Sequence, residues 1–289
     1  MEIKSIVKQL GAGAIVSGFL CVGMAFGQQL KTPAKSPHAT ISQDFGLEKV
    51  EVSYSRPAMR GRKIFGTELV PYGTVWRTGA NESTKIEFGS DVRIFGKELK
   101  AGSYSLYTIP GEKEWTIIFN SNTTLWGKNG YKEEEDALRV TAKAMSLKEN
   151  VESFTIQFSE VSDTRMLMDL SWEKTLVSVE ITAEIEEQIM KDIDQIMSND
   201  PRPYYQAASY YYEHGKDLDQ ALSWANTALE GNPKAFWIAL LKAKIQMKKK
   251  DYKGAIETAK LSQKLAEERG NQNYVSRAKE LIEEAEKQK

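Results

Sequence analysis

The hydrophobic period of this chain changes once, at Thr182, and that change limits what the chain can fold into. From Ala39 to Ile181 apolar residues recur at every second position. Val50, Val52 and Tyr54 alternate with Glu51, Ser53 and Ser55, and Ile86 and Phe88 alternate with Lys85 and Glu87. Such alternation puts one face of a strand on a core and the other in water. The signal recurs over Val92 to Leu99 with a Gly96-Lys97 turn, over Tyr104 to Ile109, and over Trp115 to Phe119 behind a Pro110-Gly111 turn. It continues in Leu138 to Ala142, Phe154 to Phe158, Met166 to Trp172, and Leu176 to Ile181 across a Lys174-Thr175 turn. About nine or ten short strands, with no helix-length amphipathic run between most of them, predict an all-β domain over 39–181, an antiparallel β-sandwich or barrel. Tyr131 to Leu138 reads as one short helix.

Beyond Thr182 the period is 3.6. Ile185, Ile189, Ile193, Ile196 and Met197 form an apolar stripe that predicts an amphipathic connecting helix over 182–200, ending near Asn199-Asp200-Pro201. Residues 201–289 then carry an internal repeat. Asp217-Leu218 recurs as Asp251-Tyr252, Ala221-Leu222 as Ala255-Ile256, Ala225 as Ala259 and Ala228 as Ser262, each pair 34 residues apart. With small residues at those offsets the segment resembles the tetratricopeptide repeat. Tyr205, Ala208, Tyr212, Ala221, Ala225, Ala228 and Pro233 fall on that signature in the first repeat, and Ala255 and Ala259 carry it in the second. The second repeat departs from the pattern: Trp237 and Leu240 are displaced by two residues and no proline follows. The expectation is an all-α C-terminal half of two helical hairpins, closed by a capping helix from Asn273 to Lys287. Stacked hairpins present a concave groove, which implies another protein or peptide as partner. Tyr210, Tyr211, Lys242 and Lys249 are candidate groove residues, with a solvated or capping role as the alternative.

The N-terminus sets the compartment. Lys4 and Lys8 precede an uncharged stretch from Leu10 to Phe26, and Ala25-Phe26-Gly27 places small residues where a signal peptidase inspects them. Residues 1–27 are therefore expected to be a Sec-type signal peptide cut before Gln28, with residues 28–38 a polar tether and the mature protein periplasmic or secreted. An uncleaved anchor is the alternative. Cys21 is the only cysteine, and Leu20 before it is too large for lipid attachment, so the exported chain carries no thiol. With 39 basic residues against 40 acidic ones there is no concentrated basic face, which argues against nucleic acid as a partner. No membrane association is expected once the signal is removed.

Special residues cluster in the β half. Tyr54-Ser55-Arg56-Pro57, Gly61-Arg62-Lys63-Ile64-Phe65-Gly66, Trp76-Arg77-Thr78-Gly79-Ala80-Asn81-Glu82, Ala101-Gly102-Ser103-Tyr104-Ser105-Leu106 and Leu125-Trp126-Gly127 stand close to one another in sequence. At these residues the chain resembles the exported bacterial family known as domain of unknown function 2911, over roughly 36–181. The resemblance implies a β-rich domain and no established activity. Read chemically, Arg56, Arg62 and Arg77 offer forks of donors for a carboxylate or phosphate, Asn81 and Glu82 suit sugar hydroxyls, and Trp76, Tyr104 and Trp126 offer flat apolar surfaces for stacking. A glycan or acidic small ligand on the β domain follows from that reading. In the opposing reading the arginines pair with Asp44, Glu68 or Glu82 to pin loops while the tryptophans fill the core.

Catalytic signatures are sparse. There is no Gly-x-Ser-x-Gly elbow, phosphate loop or paired-histidine metal motif, and no cofactor or metal is expected. His38 falls in the tether and His214 in the first repeat's turn, so both read as solvated. The run Glu133-Glu134-Glu135-Asp136 reads as a solvated helix start rather than a calcium loop. The expected role is a non-enzymatic binding protein of the cell envelope. The alternative is an envelope-polymer hydrolase using carboxylates near Glu82, with Asp136 as the second acid.

Overall fold

The computed structural model describes residues 32–199 and 203–289. The expected signal peptide and its cleavage point lie outside the described residues. The β half begins with a hairpin of β1 (His38–Phe45) and β2 (Glu48–Ser55). His38, the last residue assigned to the tether, is thus the first of a strand. A long connection, 56–83, then crosses the core and delivers Ile64, Phe65, Val70 and Trp76 into it. β3 (Thr84–Phe88), β4 (Val92–Ile94), β5 (Lys97–Leu99), β6 (Gly102–Ile109), β7 (Glu114–Asn120), β8 (Asp136–Ser159) and β9 (Arg165–Thr182) follow. All pairings are antiparallel, in the order β1-β2-β3-β6-β7-β8-β9-β4-β5. The β4–β5 turn is Phe95-Gly96, with φ of 48° and 77°, one residue earlier than the expected Gly96-Lys97. Positive φ at both positions matches the right-handed twist of the flanking strands.

The two long strands fold this sheet back on itself. The first part of β8 pairs with β7 and the second with β9. The expected strands Leu138–Ala142 and Phe154–Phe158 are therefore one strand. Lys174-Thr175 is likewise no turn but the middle of β9. What read as a turn is a register shift around Val151 opposite Glu173, whose φ is +54°, and extra residues at such a point let a strand bend into a second layer. The end of β2 meets the returning half of β8. Tyr54 Oη donates to the Ile156 carbonyl at 3.2 Å and accepts from the Ile156 amide at 2.9 Å. The Phe154 amide donates to the Pro57 carbonyl at 2.9 Å. The expected helix at Tyr131–Leu138 shrinks to a single 3-10 turn, Glu133–Glu135, because β8 already begins at Asp136.

Between the layers lies an aromatic core of Phe65, Trp76, Trp115, Phe154 and Trp172, with ring centroids 5.0–6.1 Å apart and mostly edge to face. Each such pair contributes roughly 0.5–1.5 kcal/mol beyond the area it buries.

The helical half comprises α1 (Glu186–Asn199), α2 (Tyr204–Glu213), α3 (Leu218–Gly231), α4 (Phe236–Lys248), α5 (Tyr252–Glu268) and α6 (Gln272–Gln288). α2 packs on α3, α4 on α5, and α5 on α6. The 34-residue repeat has a local physical basis. Asp217 and Asp251 are both N-caps, accepting from the amides of Asp219 and Gln220 and of Gly254 respectively, and so satisfy the free donors of a first helical turn. Ala208, Ala221, Ala225, Ala255 and Ala259 are fully buried where helices touch, while Ala228 is half-buried and Pro233 is exposed. Among the described residues no helix is long and apolar enough to cross a membrane.

Candidate functional site

The structure separates the eight β-domain candidates into three groups. Trp76 and Tyr104 belong to the core and offer no surface to a ligand. Trp76 is 7% exposed, lies nearly parallel to Trp172 at 5.9 Å, and donates Nε1 to the Gly79 carbonyl at 3.1 Å. Tyr104 packs against Phe88 and Phe119, and its hydroxyl donates to the Lys100 carbonyl at 2.9 Å. Arg56 and Arg62 hold loops, but through oxygens other than carboxylates. Arg56 Nε reaches the Phe154 carbonyl at 3.1 Å and Nη2 reaches Thr155 Oγ1 at 2.8 Å. Arg62 reaches the carbonyls of Met59 and Ala58, both at 2.8 Å. The expected pairing of these arginines with Asp44, Glu68 or Glu82 is not what pins them. Arg77 is half-buried beneath Gly127; its side chain has no hydrogen bond or ion pair among the described residues, and its Nε is buried without a partner.

Asn81, Glu82 and Trp126 form the third group. They converge on a cleft of about 300 Å³ that also takes in His38, Ser53 and Lys85. Asp136, the other carboxylate of the hydrolase alternative, does not line it. Its Oδ1 accepts from Asn120 at 2.8 Å and its Oδ2 from Tyr131 at 2.7 Å, with Arg139 at 2.5 Å beside it. Burial, and then the Asp136 hydrogen bond, push the Tyr131 phenol up to about 12. Among the described residues no three His, Cys, Asp or Glu side chains are grouped so as to hold a metal ion.

The sequence profile of the protein family of unknown function DUF2911 matches residues 36–181. The chain belongs to the DUF2911 family. No curated protein and no solved structure matches it. The DUF2911 match covers the whole nine-stranded sheet but for the last residue of β9, and with it the Trp126 cleft; it takes in none of the helices.

Outside the DUF2911 domain, α2, α4 and α6 border a groove of about 500 Å³ lined by Tyr212, Lys244, Lys248, Lys250, Tyr252 and Glu284, among others. It differs from the groove expected from sequence. Tyr211 is buried edge-on against Trp224, Tyr210 stacks on His214 at 4.2 Å, and Lys249 is spent on Asp219. Each step along a helix turns the side chain by about 100°, so the groove falls to the neighbours Tyr212 and Lys248 instead. Lys248 Nζ donates to the Tyr212 carbonyl at 3.1 Å and sits 5.1 Å from the Tyr212 ring. Arg277, nearby on α6, lies 5.1 Å over the Tyr274 ring. Lys244 is half-buried and has no hydrogen bond or ion pair among the described residues. Burial, and then the Arg277 charge, lower its pKa, and Glu213 offsets this only in part. The expected lysines were Lys242 and Lys249; the spacing of four between Lys244 and Lys248 was the signal passed over, and nothing in the sequence brings Arg277 to them.

Proposed function

We propose that this protein is an exported, non-enzymatic binding protein of the cell envelope, and that its tetratricopeptide-like helical half holds an acidic, extended peptide of another protein in the groove between α2, α4 and α6. The observation that carries the reading is Lys244. A half-buried ammonium without a carboxylate is costly, and an incoming anion relieves that cost. The tyrosines and aliphatic side chains along the groove, such as Met247 and Leu281, offer apolar contact beside the charge, which suits a peptide better than a free inorganic anion. Glu213 and Glu284 are the acids near this face, set against Lys244, Lys248, Lys250 and Arg277. The test is fluorescence anisotropy of the full mature chain with a labelled Glu- and Leu-containing octapeptide and its Gln counterpart. The acidic peptide is expected to bind more tightly by about tenfold, and Lys244→Gln to remove most of that difference, equivalent to about 1.4 kcal/mol. Equal binding of both peptides, or an unchanged Lys244→Gln variant, refutes the reading.

A further inference from the structure

The DUF2911 domain leaves one large aromatic side chain in water and fixes the backbone around it. Trp126 is 64% exposed, the most exposed large apolar residue among those described. It is not carried on a slack loop. The carbonyl before it, at Leu125, accepts from Ser83 Oγ at 3.4 Å, and the carbonyl after it, at Gly127, accepts from the Tyr107 hydroxyl at 3.0 Å. Ser83 and Tyr107 are themselves buried, and Ser83 Oγ lies 3.0 Å from Ser105 Oγ, whose proton goes to the Asn122 carbonyl at 2.8 Å. Three buried hydroxyls thus meet this segment, two from β6 and one from the residue before β3. Gly127 holds φ at +68°, and a Cβ there would meet Arg77 Nη1 at 3.3 Å, so the turn after Trp126 is built for glycine. The backbone that carries the indole is thus held in place.

The rest of the cleft lining is polar. Asn81 has φ of +61°, a left-handed conformation that asparagine adopts more readily than most residues with a side chain. Its Nδ2 donates to Ser55 Oγ at 3.1 Å and to the Ser36 carbonyl at 3.4 Å. A carbonyl accepts only, so this orients the amide and leaves Oδ1 without a partner among the described residues. Glu82 is exposed and shares one carboxylate oxygen with Lys85 at 3.5 Å. His38 Nε2 lies 3.1 Å from Ser53 Oγ. This lining offers both donors and acceptors, and its one carboxylate and one ammonium pair with each other.

We propose that this cleft binds a neutral sugar, with the apolar face of a pyranose ring against Trp126 and its hydroxyls bonded to Asn81 Oδ1, the free Glu82 oxygen and Ser53. A pyranose is the small-ligand class that has an apolar face of C–H groups and, around its rim, hydroxyls that each donate and accept, which is what an indole opposite an amide, a carboxylate and serines complements. The paired Glu82 and Lys85 leave no net charge to attract an ionic ligand. At about 300 Å³ the cleft sits at the small end of ligand sites, room for one or two rings.

The test is isothermal titration of the full mature chain against cellohexaose, maltohexaose, chitohexaose, xylohexaose and mannohexaose, together with Trp126→Ala, Trp126→Phe and Asn81→Ala. At least one oligosaccharide is expected to bind with a dissociation constant of about 1 mM or tighter. Trp126→Ala should weaken it by at least about tenfold, Trp126→Phe by less, and Asn81→Ala by several-fold. Melting of the Trp126 variants should match the parent, since the side chain is exposed. The proposal is overturned if no oligosaccharide binds at about 10 mM, or if binding survives Trp126→Ala. Binding at this cleft is independent of the helical groove, so Lys244→Gln should leave it unchanged.

Discussion

Trp76→Ala tests the aromatic core at the residue for which the sequence offered two opposed roles. In the structure Trp76 is surrounded by Phe65 at 6.1 Å, Trp115 at 6.1 Å, Phe154 at 5.2 Å and Trp172 at 5.9 Å. Removing a buried tryptophan costs about 3–5 kcal/mol from lost transfer energy and the cavity left behind. The lost Nε1 bond adds to this, because the buried Gly79 carbonyl loses its donor, at roughly 1 kcal/mol or more. A total of about 4 kcal/mol or more should lower the melting temperature of a β domain of this size by on the order of 10 °C. The assay is urea unfolding followed by near-ultraviolet circular dichroism, which reports the aromatic cluster, with far-ultraviolet signal at the helical minimum to follow the C-terminal half separately. A loss below about 1 kcal/mol would mean that Trp76 is not packed as described, and the ligand-stacking role would return.

Two further outcomes follow from local geometry. Asp251→Ala should destabilise the helical half by about 1 kcal/mol in a thermal melt, since it removes the carboxylate that accepts from the Gly254 amide at the start of α5 and from Gln246; an unchanged melt refutes the capping account. The Tyr131 phenol titrates at about 12 in the folded chain against 10.0 for the free group, so the stability it confers is complete below pH 10 and drains away as the pH rises toward 12. Tyr131→Phe should flatten the fall in urea midpoint over that range, and a fall as steep as the parent's would exclude Tyr131 as its source.

The strands with a core face on one side and water on the other were readable because alternation survives in them, as in Val50, Val52 and Tyr54 of β2. Where a strand serves two layers the rule fails. β8 and β9 bend at Val151 and Glu173, and the polar residues at the bend imitate a turn. The candidate site was partly legible for a related reason. Composition flags Trp76, Tyr104 and Trp126 alike, yet burial depends on long-range packing: two of them enter the core and one stays in water. Ser53, Ser83 and Lys85 carry no signal of their own and join the cleft only through pairing. Ser53 stands opposite Lys85 between β2 and β3, and Ser83 reaches Ser105 on β6.

Arg77 shows how the same physics bears on function. With Arg56 and Arg62 it was a candidate anion binder from sequence, and the structure leaves its guanidinium half-buried with no ion pair, the condition also found at Lys244. The two differ in what surrounds them. Lys244 lines a groove open to a partner, so its missing carboxylate can arrive from outside. Arg77 lies behind Gly127, covered by the turn that carries Trp126, and outside the residues that line the sugar cleft. Its Cδ and guanidinium lie against that turn, and its charge is uncompensated where it stands. An unpaired cation therefore points to a ligand only where a route to it exists, and that condition is met in the helical half and not beneath Trp126.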